Sequence, residues 1–138
     1  MKTQIENKSS DETILREMIA AWSAAAKRRD YNGVMANHTP DFLMFDVPPP
    51  FQSQGLDAYR KTWDLFFNCM AEPPTFDFSD IRLTVGADVA FATAHGRCLS
   101  GGEEGRIEEV HFRLTMCFQK QNGKWMIVHE HHSVPAGG

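Results

Sequence analysis

Near the end of the chain, His129, Glu130, His131 and His132 occupy four consecutive positions. Imidazoles titrate near neutrality and respond to a neighbouring carboxylate, so such a cluster can move protons. The same residues can ligate a metal, or simply form the polar end of a strand. A second candidate lies far away in sequence. In LMFDV, Asp46 is the one charge in an apolar run, with Leu43, Phe45 and Val47 on one face and Phe42 and Met44 on the other. A carboxylate so placed either sits in a pocket or accepts hydrogen bonds at the turn into the following prolines. Partial loss of water in a pocket raises a carboxylate's proton affinity, which is what a general base requires.

Which members of HEHH face inward depends on the turn QNGK, because a slip of one residue exchanges the faces of a strand. A two-residue type I′ turn on Asn122-Gly123 pairs Lys124 with Gln121, whereas a type I turn with Gly123 as a bulge pairs it with Lys120. Of these two, the second places Met126, Val128, Glu130 and His132 on the side of Phe112, Leu114, Met116 and Phe118, the more apolar face of the preceding strand. That register is the one expected. It makes Glu130 and His132 an inward acid/base or ligand-anchoring pair and sends His129 and His131 outward with Trp125 and Ile127. Outside, His111 on the neighbouring strand would be the third imidazole of a metal site. No ligand-spacing signature accompanies it, so neither metal nor other cofactor is expected.

The elements that must position these groups show one change of apolar period. SSDETILREMIAAWSAAAKRRD begins with a capping-box pattern, Ser9 and Glu12, and carries Ile14, Met18, Trp22 and Ala25 as a stripe, predicting a helix from Ser9. Asp30 caps a short helix that ends before Pro40, DFLMFDV reads as a strand, and PPPFQSQG as a turn. GLDAYRKTWDLFFNCM places Leu56, Tyr59, Trp63, Phe66 and Phe67 at helical spacing. TFDFSDIRLTV, DVAFATAHGRCL, RIEEVHFRLTMCFQ and KWMIVHEHHS then read as strands joined by GAD, SGGEEG and QNG. Three N-terminal helices followed by antiparallel strands indicate an α+β domain in which one curved sheet wraps the helices. Trp63, Phe112, Leu114, Met116 and Val128 are its expected pocket wall, and Trp22 and Tyr59 bring donors that could orient a ligand. Ala90, Ala92, Ala94 and Gly96 leave one strand face small, giving room to a ligand or a close helix.

At 138 residues and 42% hydrophobic composition the chain fits a single domain, 1–138, ordered over about 10–134. A net charge of −4 and a pI near 5.8 give no electrostatic reason to expect nucleic acid or a membrane surface as partner. There is no apolar run of membrane-spanning length, and MKTQIENKSSDE is polar rather than signal-like, so a cytoplasmic protein is expected. Cys69, Cys98 and Cys117 are odd in number and widely spaced, as for buried free thiols.

The helical pair, the strand ending in FDV, the helix GLDAYRKTW and the hairpin closing on NGKWMIVHEHHS together resemble the nuclear-transport-factor-2-like superfamily. Within it the chain looks most like SnoaL-like polyketide-cyclase and ketosteroid-isomerase-like proteins. It is also similar to the association domain of calcium/calmodulin-dependent protein kinase II, which shares GKW-x-IVH-x-H-x-S. The resemblance implies a cone-shaped, cystatin-like α+β barrel with a pocket between sheet and helices, and it puts Asp46 at the isomerases' general-base position. Trp22 stands where they use an oxyanion-stabilising tyrosine, and Leu114 near their second oxyanion donor, so that oxyanion hole is not present in its family form. Toward the kinase domain, Tyr59 takes the place of a pocket histidine and His132 that of a pocket arginine.

Two functions are expected from these readings. One is cofactor-free isomerisation or cyclisation of a small apolar or carbonyl-bearing molecule by Asp46 with Glu130 and His132. The other is a non-catalytic ligand-binding or assembly module on the same fold. Trp125 and Ile127, placed outside beside Thr115 and Cys117, would form an apolar patch that a homodimer buries.

Overall fold

The computed structural model describes residues 4–137. Its elements are α1 (Gln4–Lys27), α2 (Tyr31–Met35), β1 (His38–Phe45), β2 (Ser53–Gln54), α3 (Leu56–Cys69), β3 (Phe76–Val85), β4 (Val89–Gly101), β5 (Ile107–Gln121) and β6 (Lys124–Ser133). The strands form one open six-stranded sheet in the order β2-β1-β6-β5-β4-β3, giving the expected α+β class. The pairings are antiparallel except that of β1 with β6, which is parallel. Register shifts in β1, β3 and β6 bend their strands, as bulges do.

Helix α1 begins at Gln4, so Ser9 lies inside it rather than at its cap. Its buried stripe is Leu15, Ile19, Trp22, Ala25 and Ala26, one residue around from the expected stripe, and Ile14 is exposed. Both stripes have helical period and share Trp22 and Ala25, and packing on the sheet chose between them. Asp30 caps α2 as expected, accepting the Gly33 N–H at 3.1 Å. Gly55, at φ 87°, precedes α3 in a conformation that favours glycine, and Tyr59, Trp63 and Phe67 form that helix's buried face.

The inner face of the sheet pairs small with large. Ala90, Ala92, Ala94 and Gly96 lie opposite Phe118, Met116, Leu114 and Phe112. A Cβ on Gly96 would fall under 3.0 Å from Cζ, Cε1 and Cε2 of Phe112, so the glycine seats that ring. The small strand face thus makes room for its large neighbours.

The C-terminal hairpin departs from the expected register in an informative way. Gln121 pairs with Lys124 across Asn122 (φ 52°) and Gly123 (φ 79°), which is the two-residue turn. Trp125 and Ile127 therefore face inward and are 3% and 2% exposed, so the apolar outer patch expected of them does not exist. The pairing then steps from Phe118↔Ile127 to Cys117↔His129, leaving Val128 as the extra residue of a bulge. Beyond it the faces exchange, and Glu130 and His132 lie opposite Met116 and Leu114 on the inner side. The Trp125 indole N–H donates to Asp11 Oδ1 at 3.0 Å, and Lys120 meets Oδ2 at 3.2 Å, tying α1 to the hairpin. No helix among the described residues is long and apolar enough to cross a membrane.

Candidate functional site

Parallel pairing of β1 with β6 brings the two sequence candidates together. Met44 registers with Glu130 and Phe45 with His131, so the next residue, Asp46, comes beside His132. The Asp46 Oδ1 to His132 Nδ1 distance is 3.7 Å. Oδ1 also accepts the Val47 N–H at 2.8 Å, while Oδ2 has no protein partner among the described residues.

Behind this pair, Glu130 is fully buried and both its oxygens are engaged. Oε2 accepts from the Tyr59 hydroxyl at 2.8 Å and lies 2.7 Å from His38 Nε2, and Oε1 is 3.2 Å from His132 Nε2. The Tyr59 oxygen in turn accepts the Trp22 indole N–H at 3.1 Å. His38 Nδ1 donates to the Ala36 carbonyl at 2.9 Å, which turns Nε2 of the same ring toward Glu130. His132 is held flat against Phe112, with ring centroids 5.6 Å apart and planes 19° apart.

Charge follows from these contacts. Burial opposes ionisation of Glu130, but hydrogen bonds from His132 and His38 and their positive charge outweigh it and hold the carboxyl well below the ordinary range. Burial likewise disfavours the His132 cation, yet Glu130 and then Asp46 raise its proton affinity above that of free histidine. Burial first and the Glu130 charge second push the Tyr59 phenol far up, keeping it a neutral donor. Burial, with a smaller contribution from Asp46, pushes the Cys98 thiol up to about 11, so it is not a thiolate nucleophile.

These groups form the polar end of a cavity of about 440 Å³ between α3 and the sheet, within the size range of small-molecule sites. Asp46, Tyr59, Glu130 and His132 line it together with an apolar wall that includes Met44, Trp63, Phe66, Met70, Phe76 and Phe112. Val47 and Leu65, both exposed, also line it.

A SnoaL-like domain model matches residues 15–137. The chain belongs to the SnoaL-like family. No curated protein matches the sequence. Among solved structures, it is similar to a nuclear-transport-factor-2-like protein of unknown function from Pseudomonas putida, with 28% identity, 92% of this chain and 88% of that one covered, and a TM-score of 0.81. A ketosteroid isomerase-like protein from Erwinia carotovora is 17% identical over 89% of this chain and 96% of its own, with a TM-score of 0.74. An association-domain-like protein of the calcium/calmodulin-dependent kinase II type from Xanthomonas campestris is 18% identical over 88% and 86%, with a TM-score of 0.73. Identities this low in the last two carry the fold alone.

In this SnoaL-like domain the expected Asp46, Glu130, His132, Tyr59, Trp63 and Phe112 all line the cavity. Trp22, Leu114, Met116 and Val128 do not. Trp22 stands behind Tyr59, Leu114 and Met116 are packed in the core, and Val128 is taken up by the bulge. His38 went unrecognised because it sits at the start of β1, and its partner is 92 residues away. Met44 lines the cavity two residues from Asp46, on the strand face that alternation gives both. Cys69 is exposed and lines the cavity, contrary to the expected burial of all three thiols, while Cys98 is buried. Outside, His129 Nδ1 is bound to the Leu43 carbonyl at 2.7 Å, and His111 pairs with Glu109 rather than approaching His131. No group of three metal-ligating side chains occurs among the described residues.

Proposed function

We propose that the cavity binds a small, largely apolar molecule and that Asp46 and His132 transfer a proton on it without a cofactor, as in an isomerisation or cyclisation. The observation that carries this reading is the Asp46–His132 contact of 3.7 Å in the wall of a mostly apolar cavity. Asp46 Oδ2 takes a proton from a carbon acid, the C–H electron pair passes into the ligand's carbonyl as an enolate, and the proton returns to another atom. His132 stands ready to stabilise or relay that proton through Nδ1. Glu130, with no unoccupied oxygen, acts by positioning His132.

The test uses 2-tetralone, an apolar ketone with an acidic C–H, in deuterated water. Exchange of its C1 protons should run faster with the protein than in buffer. Asp46→Asn should return it to the buffer rate while leaving ketone affinity unchanged. One observation favours a second reading, that of a non-catalytic binding module: the donors of Trp22 and Tyr59 are consumed within the protein. Binding of the ketone with no acceleration of exchange would establish that reading against catalysis.

A further inference from the structure

The two ring nitrogens of His132 are used differently. Nε2 lies 3.2 Å from Glu130 Oε1, and because a carboxylate held in its ionised form can only accept, Nε2 carries a proton. Nδ1 makes no hydrogen bond among the described residues, its 3.7 Å separation from Asp46 Oδ1 being too long for one. Nor is it closed off. It is not one of the buried polar atoms left without a partner, and His132 lines the cavity. The ring is kept from turning by its stack on Phe112 and by the edge contact with Trp22, whose centroid is 6.2 Å away at an interplanar angle of 82°.

The charges around the ring decide which protons it holds. Glu130 stands at one nitrogen and Asp46 at the other, while His38 lies beyond Glu130 on that carboxylate's second oxygen. The Tyr59 phenol and the Cys98 thiol, both pushed up, remain neutral. Burial opposes a cation here, but the two carboxylates outweigh it, so Nδ1 is protonated as well as Nε2. A charged N–H is the stronger kind of donor. It opens on the cavity, whereas the donors of Trp22 and Tyr59 are consumed within the protein.

We propose that His132 Nδ1–H anchors the carbonyl oxygen of the ligand, an uncharged ketone or aldehyde with a hydrogen on the carbon next to its carbonyl. This rests on the reading of the cavity as a binding site. An N–H accepts nothing, so it selects an acceptor over a donor. Asp46, whose Oδ2 has no protein partner among the described residues, stands beside it and disfavours an anionic ligand. With Oδ1 and Nδ1 3.7 Å apart, base and donor meet neighbouring positions of one molecule. A carbonyl oxygen and the adjacent carbon, about 2.4 Å apart by bond geometry, are such a pair. When Asp46 takes the proton from that carbon, the C–H electron pair forms a C=C bond and the carbonyl π pair moves onto oxygen. The imidazolium N–H then holds the enolate charge, and the proton returns from Asp46 with no co-reactant consumed.

The experiment uses 2-tetralone carrying ¹³C at its carbonyl, with tetralin as the hydrocarbon counterpart, on the full chain. Both probes should perturb the Met70 methyl in the wall. The carbonyl resonance of the bound ketone should lie downfield of its position in water, as a charged donor requires. His132→Phe should return it to its position in an apolar solvent and cut the ketone's affinity relative to tetralin by about ten-fold or more. A carbonyl resonance at the apolar-solvent position in the wild type, while both probes bind, would sink this inference and leave the binding site standing. Failure of both probes to bind would remove the site and the inference together. If His132→Phe does not fold, the wild-type carbonyl shift decides the matter alone.

Discussion

Replacing Glu130 by Gln tests whether the buried carboxylate is the centre of the polar end. The substitution keeps the shape and deletes one negative charge beneath two imidazoles. If the amide oxygen takes the Oε2 position it still accepts from Tyr59 and His38, at 2.8 and 2.7 Å in the parent, but without charge assistance. The amide nitrogen then confronts His132 Nε2 at the 3.2 Å position, donor against donor. Hydrogen bonds to a charged group contribute about 1.5–3 kcal/mol each, and breaking one side of a buried pair costs about 3–5 kcal/mol. We expect a loss of about 3–5 kcal/mol near neutral pH, a large part of the total stability of a domain this size. The pH dependence has two arms. The Glu130 carboxyl is lowered by folding, so its contribution is complete above 4.5 and is lost as pH falls through its depressed value. His132 is raised by folding, so its contribution is complete below 6.5 and is lost as pH rises through its elevated value. Glu130→Gln should flatten both arms and shift the His132 titration downward, because burial remains while the partner charge is gone. Urea denaturation across the acid and alkaline ranges, with ¹³C-detected histidine titration, measures all three quantities. A stability change under about 1 kcal/mol, or a His132 titration that does not move, would refute the argument.

Gly96→Ala should cost about 1–3 kcal/mol by overpacking against Phe112, and should shift the His132 ring resonances that depend on that stack, as read by denaturation and NMR. Ile127→Glu, which would have dissociated a dimer had Ile127 been outside, should instead unfold the chain. It places a charge at a site 2% exposed, at a cost of more than about 4 kcal/mol, and circular dichroism distinguishes the two outcomes.

The architecture was legible because its signals are local. Helical spacing in α3, alternation in β4 and β5, and the Asn-Gly turn each act over a few residues, and KWMIVHEHHS is β6 to the residue. The position of Asp46 was also legible, since a lone carboxylate in an apolar run sits in a pocket or at a turn, and Asp46 does both, lining the cavity and accepting the Val47 N–H. What could not be read was how donors are spent. Whether an indole N–H is satisfied depends on a partner such as Tyr59, 37 residues from Trp22.

The hairpin shows how a correct facing can follow from an incorrect turn. Trp125 and Ile127 are large and apolar, and Glu130 and His132 need the shelter of the cavity end, yet the two pairs differ in parity along β6. A strictly alternating strand can bury one pair or the other. The turn with a bulged Gly123 would bury Glu130 and His132 and put Trp125 and Ile127 in water. The unbulged turn, continued without interruption, would reverse this and turn His129 and His131 inward. One extra residue between the pairs satisfies both, and Val128 supplies it. Nothing in the identity of Val128 announces a bulge, since a valine fits a regular strand equally well. The conflict of parity was nevertheless present in the sequence. Two inward pairs separated by an odd offset require an inserted residue somewhere from Ile127 to Glu130, and that requirement, rather than the turn type, fixes which half of HEHH meets Asp46.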